Sequence, residues 1–534
     1  MLDKKHQFLY IFIYAIAGII LFRLILFFVL GSKGMTYFGI PFETMCLFGG
    51  ALFGGFQEAT EGTVRYRYKR DLHQSVKYCL KISLLLAVSL GAIFALLLFG
   101  GSGFFAEKVF GVTLCEMAFR VQAFSYIFIF LIAVLRGYAK GLNLRTVVTH
   151  NTVVISASMI LFGILFSKIL INYGNKVSNL LKNPDVTLAY GAIGASIGIL
   201  LAFIISFLHI LGMVLLTTRN MLTNTYDIKK SESTMHLLQI LAGSVLFFAA
   251  LFFVVRGNTV SDVIIYHLFN GDIPDFDIAW GNYYGINIFL VEIFCLIMVG
   301  VNISDILLIT VNEEREERRG QRERLATMIH RVILTTTPLS CFLIALAPQV
   351  IAVFSTGDNE GEIASLQFGG VMLFFMVFSY VFGLLLMFLK KSRMILVLGA
   401  VSYLIHDILL FLLVTSSVEK INIIMTVNII YYLLIMVAEF IIVSRFFQYK
   451  QEWIRQICIP VISSAVSALL MMLLAKALSN ICLPMINILI CLLFGTMIYL
   501  VALLAVRGFS EEELSDSMIG RFILSIGRLL NFYS

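Results

Sequence analysis

Residues 189–216, AYGAIGASIGILLAFIISFLHILGMVLL, run without a single Asp, Glu, Lys or Arg. A helix crossing the hydrocarbon core of a bilayer needs roughly 20 predominantly apolar residues, so this stretch predicts a membrane span. Working outward, comparable runs cover 8–30, 36–57, 78–100, 118–139 and 147–171 before it. Eight more follow at 236–256, 285–310, 328–354, 366–389, 394–415, 422–446, 457–477 and 485–506, fourteen in all. The 534 residues are 60% hydrophobic and 13% charged, where soluble domains carry about 25% charged residues. That balance excludes a water-soluble enzyme and a disordered chain. Only short connectors remain between the runs, which leaves no room for an extramembrane catalytic domain.

The first run, Phe8 to Leu30, is too long for a signal-peptide core and has no small-residue cleavage site, so it reads as a retained span. The eight cysteines fall mostly in or beside apolar runs with no CxxC or Cys/His metal spacing. With the N-terminus placed in the cytoplasm, Lys and Arg on that side outnumber those on the outer side roughly three to one, as the positive-inside rule expects. The basic residues gather at 65–77, 315–331, 390–393 and 445–455, against isolated outer ones such as Lys33, Lys108 and Arg256. The net charge of +7 thus reflects topology, not a nucleic-acid partner. The expectation is a multi-pass protein of the cell (inner) membrane with both termini cytoplasmic.

A shift of 250 residues aligns Gly50 with Gly300, Thr60 with Thr310, Arg65 with Arg315, Lys69 with Arg319 and Lys81 with Arg331. An even number of intervening spans keeps the two copies parallel, with the repeat axis along the membrane normal. The expected architecture is all-α: a six-helix bundle at 1–216, a cytoplasmic linker at 217–235, a second six-helix bundle at 236–446, and two appended helices at 457–506. The segment 507–534 reads as a cytoplasmic amphipathic tail. Ser510 and Glu513 form a capping box there, followed by Ile519, Phe522, Ile523, Ile526, Leu529 and Leu530 at helical spacing.

Ionisable residues at bilayer depth cost at least ~2.5 kcal/mol on insertion scales and are functional candidates by default. Arg23 and Glu43 fall at similar depth on the first two spans, either as a structural ion pair or as a cavity arginine gripping an anionic head group. Arg136 lies near the inner end of the fourth span, where snorkelling to the interface is the other reading. Gly137 and Gly141, four residues apart, would let another backbone or a lipid-linked substrate approach closely. The second bundle carries acids: Glu292 and Asp305 on the eighth span, Asp407 beside His406 on the eleventh, Glu439 on the twelfth. Asp305 and Glu439 are near the inner end and read as solvated from the cytoplasm. Glu292 and Asp407 sit deeper, as candidates for a coupling proton or monovalent cation, with internal hydrogen bonding as the alternative. The charged stretch 312–324 reads as a self-paired cytoplasmic helix. The acids Asp272, Asp275 and Asp277 lack calcium-loop spacing.

There is no Walker A motif, and no HExxH, GxSxG or paired acidic magnesium motif. The chain is therefore read as no enzyme and without a resident cofactor, drawing on a gradient, on exchange or on consumption of its product.

Four short stretches resemble the multidrug/oligosaccharidyl-lipid/polysaccharide flippase superfamily, most closely its stage V sporulation protein B-like and MviN-like members. They are Gly31-Ser32-Lys33-Gly34, then Gly54 to Ala59 (without the family's proline), then Arg136-Gly137-Tyr138 with Gly141, and finally the tail from Ser510 to Leu530. The resemblance implies two bundles arranged as a V around a cavity that opens alternately to either side. It also implies an undecaprenyl-diphosphate-linked oligosaccharide as cargo, lipid II or a related envelope-glycan precursor, and glycan-synthesis machinery as a partner. MviN-like members carry cavity arginines on helix 1, the place of Arg23, and a sodium-site aspartate on helix 11, which Asp407 resembles. Their helix 7 aspartate has no counterpart in 236–256, which leaves sodium coupling, proton coupling or neither open. Two other functions stand beside the flippase. One is a cation-coupled multidrug exporter of the same fold. The other is a membrane glycosyltransferase or polymerase, which would need a long structured outer loop, with 257–284 the longest candidate.

Overall fold

The structure is a computed structural model and describes residues 2–219, 221, 234–270, 276–312, 318–354, 360–415, 420–506, 508 and 525. Most of the amphipathic tail, most of the 217–235 linker, and Asp272 and Asp275 lie outside the described residues. Among the described residues there is no strand. A bilayer leaves no water to satisfy backbone N–H and C=O groups, and an α-helix satisfies them within one segment.

The first helix, α1 (Leu2–Tyr68), holds two of the expected spans. Its apolar stretch Ala17–Tyr68 is 52 residues, which as a straight helix would reach ~78 Å, more than twice the ~30 Å hydrocarbon core. It breaks at Gly31, where φ is 65° and ψ −177°. Phe22 lies 5.9 Å from Phe38 and 6.4 Å from Phe42 between ring centroids, so the two limbs run side by side as a hairpin. Left-handed φ costs a glycine little, and this glycine belongs to the Gly31–Gly34 stretch singled out above. Thirteen helices are long and apolar enough to cross a membrane, and the first of them is this hairpin. The described residues therefore make the fourteen expected crossings.

The remaining elements are α2 (His73–Phe104), α3 (Glu116–Ala123), α4 (Ser125–Gly141), α5 (Arg145–Leu181), α6 (Asp185–Thr218), α7 (Thr234–Arg256), α8 (Asn258–Asn270) and α9 (Phe276–Asn282). A π-helical stretch, Tyr283–Ile288, leads into α10 (Phe289–Asn312). Then come α11 (Arg318–Ala345), α12 (Ala347–Phe354), α13 (Glu360–Phe388), α14 (Ser392–Val414), α15 (Lys420–Phe447), α16 (Ile459–Leu478) and α17 (Pro484–Ala505). Helix α11 begins inside the charged 312–324 stretch, and Arg322, Glu323 and Arg324 there are exposed.

The chain divides into two compact units, residues 1–285 with 399–418 and residues 286–398 with 419–534. This grouping departs from the division at 216 and 236. In the first unit α7 packs on α1 as extensively as α4 and α5 do, and the part of α14 from Gly399 onward joins them. Close contact between Gly399 and Val254 shows why: without a β-carbon at Gly399, α14 lies directly against α7. In the second unit α13 packs on α10, α11 and α15, and the two appended helices α16 and α17 pack on α11. Phe342, Met471, Cys491 and Tyr499 fill that last junction.

Candidate functional site

Two clusters of charged side chains lie inside the first unit. In the first, Arg23 is only 4% exposed. Its Nη2 donates to the backbone oxygen of Tyr284 at 2.9 Å, and its guanidinium carbon sits 4.3 Å from the Tyr284 ring centroid. The π-helical winding at Tyr283–Ile288 departs from the i to i−4 ladder, the kind of irregularity that frees carbonyls for side-chain donors. Arg23 Nη1 lies 3.9 Å from Glu43 Oε1, and the Tyr284 hydroxyl donates to the same oxygen at 2.8 Å. The other oxygen, Oε2, lies 3.7 Å from Arg256 Nη2. Two guanidinium groups thus lean on one carboxylate. The three side chains carry one more positive charge than negative, and the Arg256 side chain is 25% exposed.

The expected pairing of Arg23 with Glu43 is present at that distance. Arg256 ends an apolar run and so reads from sequence as an outer-loop cation. Its position on α7 against α1 is a tertiary fact that span reading does not see. Close packing holds the cluster in place: a β-carbon on Gly39 would overlap the Tyr284 ring, and one on Gly285 would lie 2.8 Å from Phe27. Nearby, Thr36 donates to the Asp277 backbone oxygen at 2.6 Å, the Tyr37 hydroxyl to Asp277 Oδ2 at 2.8 Å, and the Ser32 hydroxyl to Asn282.

The second cluster joins α8 to α14. Helix α7 ends at Arg256, but the chain turns at Gly257 and resumes as α8, with Ser261 N bonding back to Gly257 O at 3.0 Å. This carries Asp262, 2% exposed, toward the eleventh expected span. His406 has a fully buried ring between two carboxylates. Its Nε2 lies 3.2 Å from Asp262 Oδ1 and its Nδ1 3.0 Å from Asp407 Oδ1. Ser261 Oγ donates to Asp407 Oδ1 at 2.9 Å, and the Tyr403 ring stacks on His406 at 6.3 Å. A neutral imidazole has one N–H, whereas the imidazolium offers one to each side. Asp262 follows the end of the seventh apolar run, so the sequence alone gives it no depth in the membrane. A cavity of about 250 Å³ borders this cluster, with Ser261 and Tyr403 in its wall beside Phe48, Phe94, Phe110 and Phe253.

The other expected residues stand apart from both clusters. Arg136 donates to Thr152 Oγ1 at 2.9 Å and to Asn151 Oδ1 at 3.4 Å, with its guanidinium 5.7 Å from the Phe53 centroid. Gly137 and Gly141 press against α1: added β-carbons would meet the backbone oxygen of Gln57 and, at 2.7 Å, the Val64 side chain. Their close approach is to helix backbone. In the second unit, Glu292 is half-buried on α10, and Asp305 pairs with Arg331 at 2.7 Å. Glu439, expected to be solvated, is 1% exposed, because α13 packs over it. The stretch 257–284, the longest candidate for an outer loop, is in large part the helices α8 and α9.

No protein-family model matches the sequence, and no curated protein matches it. Solved structures do. A multidrug resistance MATE family transporter of the MOP superfamily, in its inward-facing conformation, aligns with a TM-score of 0.64 at 15% identity, covering 83% of this chain and 94% of its own. The lipid II flippase MurJ in an inward closed conformation aligns at 0.63 and 16% identity, over 94% and 98% of the two chains. A MOP superfamily transporter from Pyrococcus furiosus aligns at 0.57 and 15% identity, over 83% and 96%. With its hairpin-opened set of membrane-spanning helices, the chain has the fold of the MOP-superfamily transporters and flippases.

Proposed function

We propose that this protein is a flippase that moves an undecaprenyl-diphosphate-linked oligosaccharide, lipid II or a related envelope-glycan precursor, across the cell membrane by alternating access. No covalent bond is made or broken in this reading. The observation that carries it is the pair of guanidinium groups, Arg23 and Arg256, sharing Glu43. A diphosphate offers several oxygens to planar forks that stay charged at any working pH. It would take the place of the carboxylate on both arginines, the partly exposed Arg256 making first contact. Arg136 is assigned a second contact along the path, with Gly137 and Gly141 holding α4 tight against α1 there. The fold is shared with a lipid II flippase, whose cargo belongs to the proposed class. The lipid tail stays in the bilayer, and envelope-glycan enzymes would supply and consume the cargo.

The acid-rich cluster is assigned the coupling step. His406 fills the gap between Asp262 and Asp407, so the ion in this reading is a proton carried on the imidazole, in place of sodium. Glu292, in the second unit, is kept as a separate candidate for a coupling ion.

The multidrug-exporter reading draws on one observation, the aromatic cavity of about 250 Å³ whose wall includes Ser261, the donor to Asp407. Rings backed by a carboxylate suit an organic monocation. Reconstitution into vesicles with a labelled undecaprenyl-diphosphate glycan separates the two. Protein-dependent transfer between leaflets, lost in Arg23→Ala, is the expected result. Transfer that is absent while an organic cation is accumulated would replace the flippase reading with the exporter.

A further inference from the structure

Glu439 belongs to neither cluster. It lies on α15 in the second unit, 1% exposed, with its Oε2 buried and unmet by any hydrogen-bond donor among the described residues. Its Oε1 faces Gly383 on α13, where an added β-carbon would sit 3.2 Å away. Its neighbours along the two helices are apolar: Phe382 and Leu386, beside Gly383 on α13, and Val443, one turn on along α15, are buried, and the Phe382 ring lies 5.8 Å from that of Phe440 between centroids.

The charged and titratable groups on the elements packed against it do not neutralise it. Helix α13 carries no charged residue beyond Glu362. Tyr380 on α13 packs against Tyr432 on α15 at 6.3 Å. On α11, Arg331 is committed to Asp305 at 2.7 Å, and His330 is buried. On α15 itself Arg445 is exposed. None of these forms an ion pair with Glu439 among the described residues. An ionised carboxylate without a partner is far costlier in such a place than the neutral acid.

We infer that Glu439 is a proton-binding site of the second unit: the side chain is a carboxylic acid while α13 and α15 are packed, and it releases its proton only when that helix pair parts and water enters. The Gly383 gap gives the acid its room, which a β-carbon would crowd. This stands independently of the cargo and of the arginine cluster.

The test uses the full chain in lipid nanodiscs at neutral pH. The difference infrared spectrum between wild type and Glu439→Gln should contain a carboxylic-acid C=O band belonging to wild type. Dicyclohexylcarbodiimide, whose C=N bond adds the O–H of a buried acid, should label the wild-type chain at residue 439 by peptide mass spectrometry. Labelling should fall at least tenfold in Glu439→Gln. The wild-type labelling needs no variant, so a misfolded substitution does not shield the inference. A carboxylate band in place of the acid band, or labelling that misses residue 439, would overturn it.

Discussion

The two clusters of the first unit have the same number of charged side chains and opposite balance. Around Glu43, two guanidinium groups share one carboxylate; around His406, two carboxylates share one imidazole. The two cations of the first keep their charge, because guanidinium is not deprotonated in proteins. The second can change its charge, because imidazole is the side chain that ordinarily titrates near neutrality. One is therefore suited to holding an anion throughout a cycle, and the other to gaining and losing a proton within one. Both lie in a single unit, the first on α1 and α7 and the second on α8 and α14.

The comparison breaks most directly at Arg23. Replacing Arg23 by Ala strands part of the Glu43 charge in a buried place, and loss of one partner of a buried pair costs ~3–5 kcal/mol. Flipping in reconstituted vesicles should be lost, because the diphosphate loses one of its two guanidinium partners. Unchanged transport would show that the positive cluster is only structural. A smaller effect is expected from His406→Gln, which keeps a hydrogen-bonding side chain but removes the titrating ring. An imposed pH gradient should stimulate wild-type transport and leave the variant unmoved, because a glutamine amide cannot gain and lose the proton that an imidazole carries. Equal stimulation of both would take the proton away from this cluster.

Arg256→Ala sharpens the division of labour within the positive cluster. Its side chain is a quarter exposed, and exposed or partly exposed pairs contribute ~1 kcal/mol or less to stability. Thermal stability should hold while the apparent affinity for cargo drops by several fold. A stability loss equal to that of Arg23→Ala would mean the two arginines do the same job. The smallest effect is expected at Lys33, paired with Asp185 at 3.1 Å outside both clusters, with side chains 31% and 30% exposed. Lys33→Ala should change stability by ~1 kcal/mol or less and leave transport intact. A transport defect there would extend the functional region to the Gly31 turn.

Legibility differed between fold and site for one reason. Span positions depend on apolar runs that are contiguous in sequence, and each of the fourteen is visible as such. Partner choice depends on which helices lie together. Arg23 meets Tyr284 across 261 positions of chain, and Ser261 meets Asp407 across 146. Arg256 and Asp262 each lie at or beyond the edge of an apolar run, where nothing local marks a charge as buried. The paired Arg23 and Glu43 were readable because they sit on adjacent antiparallel spans, where equal depth can be counted from a shared turn.

The sequence by itself determined an all-helical, many-span membrane protein, the hairpin through Gly31, and the charges placed at bilayer depth, since hydropathy and helical rise are local properties. Only the tertiary structure decided that α7 runs on through Gly257 into α8, that Arg256 and Asp262 complete two opposed clusters, and that Glu439 is sealed beneath α13. Those outcomes depend on helix-to-helix packing, governed by small residues and shape over long separations, which no window along the chain contains.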